Sequence, residues 1–271
     1  MCQHIKQEGL AVMKNQQNLL FTMSFNGAAY HGWQIQDNAV SVQGTVLRAF
    51  SKLTGEVPVI TGCSRTDAKV HANMYCFNVK TSATIPHESF PAALNARLPR
   101  DIAVSSCISV PDSFNARFSC KSKEYRYLIY NNEIRNPFYI DKALHYRYPL
   151  EEDALDETAG YFTGTYDFSA FCAAGSDAVS KVRTVHSAHV TREGEFVVFT
   201  VSADAYLYNM VRIMVGTLLY TAQGKIAPRE LPGIIAQGRR ELAGPTAPPC
   251  GLYLNRVVYN KSEVTLDGGR A

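Results

Sequence analysis

The stretch CSRTDAKVHA, from Cys63 to Ala72, sets Arg65, Thr66 and Asp67 in a row, with Lys69 and His71 close behind. In extended backbone alternate side chains share a face, so Arg65 and Asp67 point the same way. That spacing suits a solvated surface pair, worth under about 1 kcal/mol, or a carboxylate held ionised and aimed at a substrate. A second chemical residue is Arg212, which sits in YNMVRIMVG between Val211 and Ile213. A cation in so apolar a helix is costly to bury unless it meets a carboxylate, and Asp67 is one candidate partner. The alternative is an arginine at a helix edge reaching out to water. Third, EYRYLIY alternates Tyr125, Tyr127 and Ile129 with Arg126, Leu128 and Tyr130. Such a stripe ordinarily builds a core, although a tyrosine at the start of the strand can also stack on a nucleobase. Asp67 and His71, four apart, would suit a metal-assisted hydrolase, but no further carboxylate or histidine nearby completes a ligand set.

The elements that must position these groups can be read from periodicity. NLLFTMSFN (18–26) is a strand, and Ser41 caps a helix through Leu53 that Gly55 closes. VPVITGC and MYCFNVK are strands on either side of the opening motif, 86–98 is a second helix, and DIAVSSCISV is a strand. The order β-α-β-β-α-β by residue 110 describes an α+β unit on an antiparallel sheet. The second half repeats the theme: a strand at KEYRYLIYN, a helix over 150–162, strands at 182–191 and 195–203, and a helix over 207–222. A short helix after Pro228, the loop GPTAPPC and a last strand GLYLNRVVYN follow. The expectation is a loose tail over 1–17, an α+β half over 18–110 carrying Asp67, and an α+β half over 111–271 completing the site. The halves would share one mostly antiparallel sheet, with helices on one side and a cleft on the other.

Composition narrows the class. With 46% hydrophobic and 19% charged residues, the chain reads as a soluble globular protein. Its formal net charge is only +3, from 27 Lys+Arg against 24 Asp+Glu. The positive charge is uneven, with Arg97, Arg100, Arg117, Lys121, Lys123 and Arg126 gathered in one stretch that suits a phosphate-facing patch. Seven cysteines, none at CxxC spacing, read as reduced thiols of a cytoplasmic protein and suggest no zinc site. The most apolar run, 206–220, is too short to span a membrane and contains Arg212.

SRTDAKVHA also resembles the GRTDAGVHA motif of the TruA family of tRNA pseudouridine synthases. The likeness continues through FNGAAYHGWQIQ, FNARFSCKSKEYRYLIYN, YNMVRIMVG and CGLYLNRVVY, in order, over nearly the whole chain after residue 18. The resemblance implies an isomerisation without metal or cofactor: a uridine in tRNA loses its N1–C1′ bond, the uracil rotates, and C5 bonds to C1′. Asp67 falls on the catalytic aspartate, which attacks ribose C1′ or assists formation of a glycal intermediate. Tyr125 falls on the tyrosine that stacks on the target base and helps remove the C5 proton. Arg65 resembles the arginine that fills the space left by the flipped base, Arg212 the partner of the aspartate, and Leu252 an apolar wall of the uracil pocket. Bacterial members generally act on uridines 38 to 40 in the anticodon arm, as homodimers that share one tRNA. Three positions depart from the pattern: Asn26 for Asp, Ser64 for Gly and Lys69 for Gly. The family's glycine at Lys69 implies a conformation costly for a residue with a Cβ, and the Lys69 cation lies close enough to Asp67 to reach a phosphate beside the flipped nucleotide. The rival expectation is a TruA-like RNA-binding protein without catalysis, or a synthase retargeted to another uridine.

Overall fold

The computed structural model describes residues 16–260 together with Ser262 and Val264. The expected tail therefore lies outside the described residues, save for Gln16 and Gln17. Gln17 already opens the first strand, opposite Thr81.

The elements are β1 (Gln17–Phe25), α1 (Val42–Thr54), β2 (Ile60–Gly62), β3 (His71–Thr81), α2 (Phe90–Asn95), β4 (Ile102–Val110) and β5 (Ser122–Asn131). They continue with β6 (Leu144–Tyr146), α3 (Glu152–Gly160), β7 (Gly164–Asp167), β8 (Val182–Glu193), β9 (Phe196–Ala203), α4 (Met210–Ala222), α5 (Leu231–Gln237) and β10 (Leu252–Val258). The capping expected of α1 is present: the Ser41 hydroxyl accepts the Gly44 N–H, and Gly55 closes the helix at φ 77°. Other helices are shorter than their periodicity suggests. The second expected helix begins as a 3₁₀ turn over His87–Ser89, and α4 starts only after Asn209, whose φ of 61° cannot continue a helix. β6 and β7 carry no sequence signal, being three- and four-residue strands whose identity lies in their pairing to β5 and β8.

The sheet runs β4-β1-β3-β10-β5-β9-β8-β7, antiparallel except where β10 meets β3 and β6 meets β5. The fold is thus the expected mixed α+β architecture on a mostly antiparallel sheet. The last strand makes the junction. Leu254 of β10 lies opposite Ala72 of β3 on one side and Tyr125 of β5 on the other, welding the N-terminal strands to those that follow.

In one respect the arrangement differs from the sequence reading. Phe21 stacks on Phe77 at 4.9 Å and meets Phe50 of α1 and Phe90 of α2 edge-on, so those helices cover the face carrying Phe21. Tyr75 shares that face, and so do Tyr125 and Leu252 through the pairing of β3, β10 and β5. The Tyr127 hydroxyl, on this side too, donates to the Pro248 carbonyl beneath α4. The cleft therefore opens on the helix-bearing face, between the α1/α2 layer and α4, and not on the opposite side. Residues on the reverse face, among them Glu124, Arg126 and Asn255, are polar and satisfy one another or solvent.

α4 is seated against residues 244–250 by the absence of two side chains. A Cβ on Gly216 would lie 1.7 Å from the Pro245 carbonyl oxygen, and one on Gly244 would lie 2.4 Å from the Gly216 backbone. The Gly244 N–H then reaches the Thr217 hydroxyl at 2.9 Å, and the Ala247 N–H reaches the Arg212 carbonyl at 3.0 Å. Gly216→Ala should lower stability by about 3 kcal/mol through overpacking, read as a reduced urea midpoint.

Candidate active site

The link from β2 to β3 carries the opening motif, and local constraints aim it. The Cys63 N–H donates to the Cys76 carbonyl, and the Thr66 carbonyl accepts the Trp33 N–H at 3.1 Å. That last approach requires Gly32, at φ 89°, because a Cβ there would sit 2.4 Å from the Thr66 oxygen. The Val70 N–H closes a turn onto the Asp67 carbonyl at 3.2 Å. Inside that turn Lys69 adopts φ 64°, the left-handed conformation expected of a glycine. The loop keeps its path and carries the strain.

Asp67 meets Arg212 across 145 residues of chain, Oδ2 to Nη1 at 3.3 Å. Arg212 has two further anchors: its Nη1 donates to Asn209 Oδ1 and its Nε to the Ala247 carbonyl, each at 2.7 Å. The left-handed backbone of Asn209 turns its amide back onto Arg212 instead of capping α4. Two opposed effects act on Asp67. Burial raises its pKa, and the Arg212 charge and hydrogen bond lower it; burial is the larger, so the carboxyl titrates above its ordinary value.

Tyr125 is buried beside this pair. Its hydroxyl lies 3.3 Å from the Ser64 hydroxyl, and its ring meets Tyr206 edge-on at 4.9 Å. Burial pushes the Tyr125 phenol far up, with the Ser64 hydrogen bond opposing it only in part, so the phenol stays protonated at physiological pH. Tyr206 is itself fixed, its hydroxyl donating to the carbonyls of Val201 and Lys123 at 2.8 and 2.9 Å. Leu252 completes the apolar wall. A cleft of about 730 Å³ brings Asp67, Tyr125, Leu252 and Arg65 together.

Arg65 does not pair with Asp67. It stands at the rim, 61% exposed, 3.9 Å from Asp177. Lys69 is exposed and outside the lining of the cleft. The basic stretch divides: Arg117 and Lys123 line the cleft with Arg183, while Arg126 pairs with Glu193 on the reverse face and Arg100 lines a separate hollow. His71 is not joined to Asp67 as a ligand pair. Its Nδ1 accepts the Gly27 N–H at 3.0 Å and its ring stacks on Tyr253. Asn209 and Tyr206 were not legible as site residues. An Asn before an apolar helical run reads as a cap, and nothing in AYLYN separates Tyr206 from Tyr208.

Because the folded pKa of Asp67 is raised, protonation of this group favours the native state. The stabilisation is complete below the unfolded-state pKa and is lost as pH rises through the folded one. Asp67→Asn should therefore raise the thermal midpoint near neutral pH, and the gain should shrink as pH falls into the carboxylate range. A midpoint difference independent of pH would contradict this balance.

A family model described as tRNA pseudouridine synthase matches residues 22–119 and 158–260. The tRNA pseudouridine synthase A of Caldicellulosiruptor bescii is 44% identical over 242 residues, 89% of this chain and 99% of its own length. That of Thermoanaerobacter sp. strain X514 has the same identity and coverage, and that of Anoxybacillus flavithermus is 42% identical over 88% of this chain and 97% of its own. With its motifs in order and its carboxylate, arginine and tyrosine assembled in one cleft, the chain belongs to the tRNA pseudouridine synthase family.

Proposed function

We propose that this protein isomerises uridine to pseudouridine in tRNA, acting in the anticodon arm at positions 38–40, as a cytoplasmic homodimer. The observation that carries the reaction is Asp67, held by Arg212 on the wall of a cleft that also presents Tyr125 and Leu252. Membership of the family supports tRNA as substrate, and the resemblance supports the anticodon arm and the dimer. Six described cysteines without disulfides agree with a reducing compartment.

The chemistry follows from the groups. A base inside a duplex is out of reach, so the target uridine must leave the stack. Arg65, exposed at the rim, is placed to occupy the space it vacates. Tyr125 and Leu252 then sandwich the uracil and exclude water from the sugar centre. Asp67, ionised and with its rotamer set by Arg212, adds to ribose C1′ or removes the neighbouring 2′ proton, and the N1–C1′ bond breaks either way. The uracil turns against Tyr125, C5 bonds to C1′, and the C5 proton leaves. Since burial keeps its phenol protonated, Tyr125 serves as platform and hydrogen-bond donor, not as a resting phenolate base.

Asp67→Asn should abolish tritium release from tRNA labelled at uridine C5 while leaving tRNA affinity within about threefold, because binding is spread over many phosphate contacts. Wild-type turnover by this variant would overturn the mechanism.

Binding should also fall steeply with salt in spite of the low net charge, since cations concentrate in the cleft. Arg117→Glu should weaken tRNA binding and flatten the salt slope. Arg100→Glu, in the separate hollow, should do neither, and equal effects at both positions would argue against a localised patch.

A further inference from the structure

Lys123 poses a problem that the site as described does not solve. It lies in β5 two residues before Tyr125, on the same face, so the two Cα atoms are about 6.8 Å apart. It is only 9% exposed, and it lines the cleft. Among the described residues it joins no ion pair. Its polar side-chain neighbour is the Cys120 thiol. The adjacent Glu124 is no partner, since it lies on the reverse face and accepts from Asn255 at 2.6 Å. Burying a cation without a carboxylate is unfavourable and stabilises nothing by itself. Yet the position is held firmly, because the Tyr206 hydroxyl clips the Lys123 carbonyl while the Tyr206 ring braces Tyr125.

Taking the isomerisation proposed above as its basis, we infer that Lys123 is a further catalytic group, a cation facing the flipped base that offsets the negative charge uracil gains when the N1–C1′ bond breaks. The electron count requires such a charge on either route. The bonding pair stays with N1 and spreads onto O2 and O4, while C1′ gains a bond to the Asp67 oxygen or the sugar loses its 2′ proton to Asp67. When C5 attacks C1′ a new C5–C1′ bond forms as the Asp67 oxygen leaves C1′, or as Asp67 returns its proton to C2′. The C5 proton then passes to solvent, and N1 takes up a proton in its place. Lys123 neither gives nor takes a proton overall. A preorganised cation in a site closed to water stabilises this transient anion more than the neutral uracil before it, which is the condition for catalysis.

A phosphate is the less suited occupant. The backbone of a flipped nucleotide stays with the RNA at the mouth, where Arg65 and Arg117 stand exposed. The buried cation lies beside the tyrosine on which the base stacks. Lys123 also lowers the pKa of the Cys63 and Cys120 thiols, although burial keeps both raised overall, so its field reaches two groups that line the cleft.

The test separates binding from chemistry with the full chain and C5-tritiated tRNA, comparing single-turnover rate at saturating enzyme with Kd. Lys123→Met, which replaces the buried cation with an apolar side chain of similar length, should leave the thermal midpoint no lower and Kd within about threefold. Its saturated rate should fall by about 100-fold or more. Lys123→Arg should recover at least a tenth of the lost rate by restoring the charge, and Lys123→Gln serves in place of the methionine variant if that one does not fold. A saturated rate within threefold of wild type would overturn the inference. So would a loss confined to Kd with a salt slope shallower by about one, which marks a phosphate contact. Asp67→Asn is measured alongside: if it turns over normally the reading of the whole site fails, whereas an inactive Asp67→Asn beside a fully active Lys123→Met removes only the role of Lys123.

Discussion

The contact between Asp67 and Arg212 is the one on which the rest of the molecule turns. Neither group is comfortable alone: the carboxyl is partly desolvated, and the guanidinium emerges from an apolar helix. Together, 3.3 Å apart, they keep an ionised carboxylate in a place that would otherwise protonate it. Burial still outweighs the arginine and leaves the carboxyl pKa above its ordinary value, so the pair holds reactivity at a cost in stability. That cost has to be met by packing elsewhere.

The packing that meets it is concentrated at two joins. The first is β10, which lies between β3 and β5 and aligns the loop bearing Asp67 with the strand bearing Tyr125. The second is the back-to-back contact of α4 with residues 244–250, close enough that only glycine fits at positions 216 and 244. That contact puts the Ala247 carbonyl where Arg212 Nε needs it. A helix end whose first residues were free to fray would let the guanidinium swing. Asn209 and Ala247 remove that freedom.

Charge in this protein is placed, not abundant. A surplus of three positive charges over 271 residues says little, yet Arg65, Arg117, Lys123 and Arg183 all line one cleft with Asp67, Asp177 and Asp204, and Arg212 pairs with Asp67 at its wall. Such an arrangement focuses positive potential where a polyanion would enter, while Arg126 and Arg192 are neutralised by glutamates on other surfaces.

Much of this was legible in the chain. Periodicity located the long strands and the amphipathic helices, because burial of one face imposes a period of 2 or 3.6 on apolar residues. An arginine among Met, Val and Ile asked for a carboxylate, and Asp67 answered it. The φ of Lys69 was foreseeable from the glycine usual at that position in the resembling motif. What the chain alone did not disclose were facts set by contact between distant segments: that Arg65 turns away from Asp67 to the rim, that the cleft shares a face with the helices, and that Asn209 and Tyr206 brace the site. The three-residue β6 and the split of the basic stretch between cleft, hollow and reverse face belong to the same kind. Local sequence determines which way a side chain points relative to its own strand or helix. Only the sheet order and the seating of α4 decide what that side chain then meets, because these depend on packing between residues more than a hundred positions apart.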